Sequence, residues 1–322
     1  MICIFSSPKS FADPHIALIQ RNAIQSWTLL KPQCDIILMG NDAGTAEIAS
    51  EFHLKHVANV ECKANKPIVS SLFKNAEINS DGMVLMYLNA DIILLKDFLL
   101  HVNHIITQMA GNPFFAIGQR CNVEINAPIN FNDSNWENEL KDNSLKYGRY
   151  SGPFSIDYFI FTKGLWKEIP PFTIGRVAYD NWLIYEARRL RCPIIDLTPS
   201  TCVIHQHHEQ FVKIAARPII TDKHSYDKFM WDRRLSPEAI AQINMAGKGT
   251  LFGISDSTHI FAENKIQLRK VTFSRFHREL KLLFLLSERN PGKLLKSIFP
   301  ENVKVIYRSI RYFVKNNIHR RS

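Results

Sequence analysis

The sequence predicts an α/β protein built on a mostly parallel sheet with helices on both faces. Three observations predict it. Apolar runs of strand length alternate with helical periodicities through the first 120 residues. The runs at 1–5, 34–39 and 83–88 are apolar at nearly every position, as strands buried on both faces require. Turn-type punctuation separates them: Ser6-Ser7-Pro8, Pro32 and Gly40-Asn41-Asp42.

Residues 1–5 form the first strand. Ile16, Ile19, Ala23, Ile24 and Trp27 recur at helical spacing and predict a helix over 15–30. The second strand is 34–39, followed by a short helix at 45–52 and a third strand at 56–62. A helix over 68–78 follows Pro67. The apolar run 83–88 resumes at 92–95, before a helix at 98–109 and a strand at 114–118. Residues 122–150 are polar, rich in Asn and without period, which predicts an insertion or lid. Aromatic residues mark a strand at 157–161. A helix at 180–190 and strands at 193–196 and 201–204 follow. Ser236-Pro237-Glu238 opens a further helix with an N-cap and Pro at its first position. Two more helices are expected at 276–286 and 303–314, broken at Asn290-Pro291-Gly292. No internal repeat is visible. The expected division is a body over 1–235 and a helical basic extension over 236–322.

With 46% apolar and 22% charged residues, composition excludes a disordered chain, a collagen-like repeat and a disulfide scaffold. No apolar run nears the ~18 residues of a membrane span. The first ten residues lack a basic flank and read as a strand, not a signal peptide, so a cytoplasmic location is expected. None of the six cysteines forms a C-x-x-C pair, and reduced, buried thiols are expected. Charge is unevenly spread. Residues 265–322 hold fifteen Lys and Arg against three Asp and Glu, so the tail carries +12 and the remainder −2. That asymmetry suggests an anionic partner, with a membrane surface ahead of nucleic acid because no nucleic-acid-binding module is present, and it leaves open the plainer reading that the tail's apolar stripes pack on the body and its charges form a solvated face.

In open sheets of this class, ligands bind beyond the carboxyl ends of the strands, so loops 6–9, 40–42 and 89–91 are expected to share one crevice. Within 83–94, Asn89 and Asp91 interrupt an otherwise apolar run. A buried carboxylate needs a cation, donors or solvent. Spacing alone leaves two readings open: a divalent cation at Asp91, or a turn in which Asp91 caps the helix near Lys96.

Asn89-Ala90-Asp91 resembles the D-x-D motif of GT-A glycosyltransferases, and it follows a β-α-β-α-β-α-β run. The resemblance covers about residues 1–210. It implies a Rossmann-like, mixed but mostly parallel sheet that binds a nucleotide-sugar. Asp91 would hold Mn²⁺ or Mg²⁺ against the diphosphate, and Ser7 and Asp42 would contact the nucleoside. Asn89 departs from the motif. An amide accepts from a ribose hydroxyl but brings no charge. The family often completes its metal shell with a late His, and Ile204-His205-Gln206-His207-His208 offers His205 or His207. Alternate strand positions point the same way, so both remain candidates. Imidazole with carboxylate favours Mn²⁺. A solvated loop or a His-only zinc site would also use three such histidines.

The resemblance extends to Asp180. In inverting members an acid at a helix start deprotonates the acceptor hydroxyl, and the helix dipole would keep Asp180 ionised. Arg176 would reach the diphosphate, and Tyr179 or Trp182 would stack on a sugar. The plainer readings are an N-cap for Asp180, a surface position for Arg176 and core packing for Trp182. Gly152 would allow close approach to the donor sugar, and Asp157 would bind its hydroxyls.

Two functions follow. One is a metal-dependent, inverting glycosyltransferase acting on a sugar or lipid-linked acceptor. The other is a non-catalytic peripheral protein that binds membrane or nucleic acid through its tail. A nucleotidyltransferase is disfavoured, because loop 6–10 contains no Gly.

Overall fold

The computed structural model describes residues 2–150, 155–206 and 237–269. The expectations for Gly152, for His207 and for helices at 276–286 and 303–314 lie outside these residues.

The chain opens with β1 (Ile2–Ser6), α1 (Pro14–Thr28), β2 (Asp35–Met39), α2 (Thr45–Glu51) and β3 (Lys55–Val57). A hairpin of β4 (Cys62–Lys63) and β5 (Lys66–Pro67) leads to α3 (Val69–Asn79). Then come β6 (Val84–Leu88), β7 (Ile92–Leu94), α4 (Phe98–Met109), β8 (Phe115–Gln119) and β9 (Cys121–Val123). They are followed by α5 (Trp136–Tyr147), β10 (Arg149–Tyr150), β11 (Ile156–Thr162), α6 (Tyr179–Arg189), β12 (Ile194–Asp196) and β13 (Val203–Gln206). The described chain closes with α7 (Pro237–Ala246), β14 (His259–Ala262) and β15 (Lys265–Leu268).

A nine-stranded sheet has the order β15-β14-β12-β8-β11-β6-β1-β2-β3. Its pairings are parallel except where β11 runs against β6 and β8, and where β15 runs against β14. The expected mixed, mostly parallel α/β sheet is therefore present. The reversed direction of β11 matters for function. It brings the start of that strand to the carboxyl ends of β6 and β8. A second sheet, β10-β9-β13-β7, stands over the same end.

Strand residues alternate between two unlike layers. Ile2, Ile4, Ile36, Leu38, Val84, Met86 and Leu88 face an aliphatic layer completed by Trp27 of α1 and Val102 of α4. Phe5, Tyr87, Phe159 and Phe161 face an aromatic layer. There Phe73 of α3 stacks on Phe161 at 5.0 Å, and Trp166 meets Phe115 edge-on at 5.1 Å. Gly118 marks the closest approach: a Cβ there would lie 1.8 Å from the Tyr158 hydroxyl oxygen. Any side chain at that position would drive Tyr158 out of the core.

Two regions differ from the sequence expectation. The polar stretch 122–150 contains α5, which buries Trp136, Leu140 and Ser144 at helical spacing and leaves the others half-buried or exposed. Residues 259–268, within the expected helical extension, are two strands of the main sheet, and Arg269 pairs with Asp196. The compact body runs to Arg269. Cys3, Cys121 and Cys192 are buried, Cys34 and Cys202 half-buried and Cys62 exposed. Among the described residues, no helix is long and apolar enough to cross a membrane.

Candidate functional site

The carboxyl ends of β1, β2 and β6 come together, as loops 6–9, 40–42 and 89–91 were expected to. Ser6 Oγ donates to Leu88 O at 2.6 Å, tying β1 to the end of β6. Phe11 N donates to Ala43 O at 2.8 Å, tying the first loop to the second. Gly40 turns at φ +104, and a Cβ there would lie 3.5 Å from Ser7 Oγ and 3.9 Å from Asp42 Oδ2. The two proposed nucleoside contacts therefore flank one glycine turn. Ser7 Oγ is buried with no hydrogen-bond partner among the described residues, while Asp42 is exposed.

Period two along β6 carries the aromatic-layer face from Tyr87 to Asn89. The Asn89 amide is fixed on both sides: Tyr87 Oη donates to Oδ1 at 3.1 Å, and Nδ2 donates to Asp157 Oδ1 at 2.7 Å. The main chains join as well, through Asn89 N to Asp157 O at 3.1 Å. Asp157 is buried at the start of β11, where the register against β8 slips between Ile156 and Phe159. An irregularity of this kind re-aims a side chain. Its second oxygen takes Arg120 Nη1 at 2.6 Å, and both side chains are nearly buried. Asp157 is thus occupied by protein donors on each oxygen.

Asp91 lies one turn further, before β7. Gln206 N donates to Asp91 O at 3.2 Å, and Trp27 Nε1 donates to Ile92 O at 2.8 Å, so α1 and β13 hold the turn from two sides. Because β13 pairs antiparallel with β7, His205 lies opposite Ile92. His205 Nε2 stands 3.4 Å from Asp91 Oδ2, with the imidazole nearly buried and Asp91 17% exposed. Carboxylate and imidazole together present the oxygen and nitrogen donors that Mn²⁺ accepts. Among the described residues no group of three or more His, Cys, Asp or Glu gathers at ligand spacing. Two protein ligands still fit a hard cation of this size, which is commonly held by one or two carboxylates plus substrate phosphates.

Asp180 occupies the first turn of α6, after Ala178 at φ 86. Its carboxyl is half-buried against the main-chain N–H groups of Asn181, Asp180 and Ala178. Burial raises its pKa to about 7, and the charge of Asp157 adds to the rise, while those N–H groups oppose it. Desolvation thus outweighs the helix dipole, contrary to the expectation of a permanently ionised Asp180. Electrostatics places Asp180 among the same groups: burial pushes the Tyr179 hydroxyl upward, and Tyr87, Asp180, Asp157 and Asp91 add to the rise.

Other candidates find different roles. Trp182 packs on Phe172 at 5.6 Å and is buried, as the core reading required. Tyr179 is also buried, 6.0 Å from Phe159. Arg176 is half-buried in the loop before α6, its Nε without a partner among the described residues, and the Lys66 ammonium lies beside the neighbouring Gly175. Sequence reasoning missed Tyr87 and Arg120. Arg120 had a signal: it is a charge directly after an apolar strand, at the crevice end of the sheet. Two clefts of about 520 and 590 Å³ lie at the opposite, amino ends of the strands, and neither contains Asp91, Asp157 or Asp180.

No family model matches the chain, and no curated protein matches it. Among solved structures, residues 1–349 of Staphylococcus aureus TarS, in complex with UDP-GlcNAc, align with a TM-score of 0.51 at 13% identity, over 89% of this chain and 72% of that one. Glucosyl-3-phosphoglycerate synthase from Mycobacterium tuberculosis, with Mn²⁺, UDP and phosphoglyceric acid, gives 0.41 at 13% identity, over 77% and 78%. The mannosyltransferase PcManGT from Pyrobaculum calidifontis, with GDP-Man and Mn²⁺, gives 0.42 at 11% identity, over 98% and 83%. The TarS likeness shows the fold, a GT-A-type Rossmann-like sheet.

Proposed function

We propose that the protein is a glycosyltransferase that moves a sugar from a nucleotide-sugar to an acceptor hydroxyl, with inversion. One observation carries the reading above the others. A carboxyl with a pKa of about 7, Asp180, stands within electrostatic reach of Asp157, on a fold that presents Asp91 beside His205. A base works best when its pKa lies near the operating pH.

Asp91 and His205 would hold Mn²⁺ or Mg²⁺, with His207 a further candidate for that shell. The cation supplies charge neutralisation for the departing nucleoside diphosphate. Ser7 and Asp42 bind the nucleoside. Arg176 faces the diphosphate. Asp180 accepts the acceptor's proton as its oxygen bonds to the anomeric carbon from the face opposite the breaking C–O bond. Asn89 keeps one amide N–H and part of its carbonyl acceptor capacity for a ribose hydroxyl. Asp157, with both oxygens taken by protein donors, is better suited to holding the site than to gripping donor hydroxyls, which revises its expected role.

Donor hydrolysis in a panel of UDP- and GDP-sugars tests the reading without knowledge of the acceptor, since water can replace it. Mn²⁺-dependent release of nucleoside diphosphate from one donor is the expected result. No release from any donor, with or without the cation, contradicts it.

The tail from Lys265 onward is proposed to bind an anionic membrane surface, which suits a lipid-linked acceptor. Its net charge of +12 supports this, at about 1 kcal/mol per Lys or Arg near anionic lipid. The full chain should pellet with anionic vesicles and not with neutral ones. Indifference to anionic vesicles in low salt removes the tail from this role.

A further inference from the structure

Asn89 is where the sequence departs from D-x-D, and Asp157 on the neighbouring strand is its side-chain partner at 2.7 Å. The hydrogen-bond directions are consistent along the whole chain of groups. Tyr87 Oη has one proton and gives it to Asn89 Oδ1, so the amide nitrogen must face Asp157. Asp157 accepts from Asn89 on one oxygen and from Arg120 on the other. A carboxylate at position 89 has no proton to give. It would set an oxygen against Asp157 Oδ1 at the distance now spanned by a hydrogen bond. Two carboxylates so placed, one of them buried, oppose each other's ionisation. Asp157 therefore dictates Asn at position 89.

We propose that the carboxylate which the first position of the motif lacks stands on the neighbouring strand as Asp157, ion-paired to Arg120, so that Asn89 and Asp157 form one position divided between two strands. Arg120 and Tyr87 are positioning residues: one anchors the carboxylate, the other fixes the amide. The division is possible because β11 runs antiparallel and starts where β6 ends. This rests on the transferase reading only for its purpose, the fixing of the Asn89 amide beside the nucleotide. The division itself does not depend on that reading.

The experiment uses the full chain and the variants Asn89→Asp, Asp157→Asn and the double exchange. Thermal unfolding is read without ligand, and the binding of UDP and GDP with Mn²⁺ is read by calorimetry. Asn89→Asp and Asp157→Asn should each lower Tm by about 4 °C or more. The double variant should recover at least half of the larger loss and bind nucleotide within about threefold of the parent, because neighbouring sites couple. A purely structural role would not return nucleotide affinity in the double variant. The proposal is overturned if Asn89→Asp is as stable as the parent, or if the double variant is no better than the worse single one. If Asn89→Asp does not fold, a folded double variant supports the division, and an unfolded one overturns it. The expected stability pattern without nucleotide binding in any variant keeps the division and sinks the transferase reading. Nucleotide binding without the stability pattern does the reverse.

Discussion

The start of β11 and the start of α6 each present a carboxylate to the same end of the sheet, and the protein treats them differently. At β11, Asp157 receives Asn89 on one oxygen and the Arg120 guanidinium on the other. At α6, Asp180 meets main-chain N–H groups, and burial lifts its pKa to about 7. A carboxylate paired with a buried cation is a strut. A carboxyl without one, poised near neutrality, can take a proton and give it back. Two carboxylates take two roles because their surroundings differ.

The largest expected effect falls on the α6 side. Asp180→Asn should lower donor turnover by about 10²–10⁴, the usual contribution of a positioned base. Parent turnover should rise with pH through about 7, as Asp180 loses its proton, and the variant should be flat over that window. A variant that keeps the parent's profile would return Asp180 to a helix-capping role.

On the cation side, His205→Ala should weaken Mn²⁺ affinity by roughly 10–100-fold and reduce any preference for Mn²⁺ over Mg²⁺. Electron paramagnetic resonance of bound Mn²⁺ reads both. Unchanged affinity would show that the 3.4 Å approach of His205 to Asp91 is structural.

A smaller effect concerns stability. The folded pKa of Asp180 is raised above its ordinary value of 3.8, so the folded state binds the proton more tightly. Below pH 4 the group is protonated in both states and costs nothing. Between about 4 and 7 stability falls as pH rises, and above 7 the full cost remains. Asp180→Asn should therefore unfold at a higher temperature than the parent at pH 8, and the gain should vanish near pH 4. Its size is about 1–2 kcal/mol, less than the whole shift implies because the carboxyl still touches water. Equal gains at both pH values would mean that burial is not the cause.

The same two regions show how far the sequence could be read. Strands apolar at every position announced a sheet covered on both faces, and α4 emerged over the predicted residues because its apolar stripe is strong. Asp91, His205 and Asp180 were legible as polar residues breaking apolar patterns at strand and helix ends. Arg120 was not singled out, although a charge follows an apolar strand there, because its partner Asp157 lies 37 residues away on another strand; Tyr87 was not, because an aromatic within an apolar run reads as core. The helix α5 stayed hidden because only Trp136, Leu140 and Ser144 face inward among charged neighbours. The pair β14–β15 stayed hidden because both strands are short and only Phe261 is fully buried.

Calorimetric titration of UDP and GDP into the parent, Asp91→Asn and Asp180→Asn, each with and without Mn²⁺, tests the central division between a donor-cation region and a base region. The parent should bind one nucleotide only with the cation, Asp91→Asn should lose about 100-fold or more in affinity, and Asp180→Asn should stay within about twofold of the parent. Nucleotide binding that needs no cation and survives Asp91→Asn, or binding that is lost equally in Asp180→Asn, would contradict it.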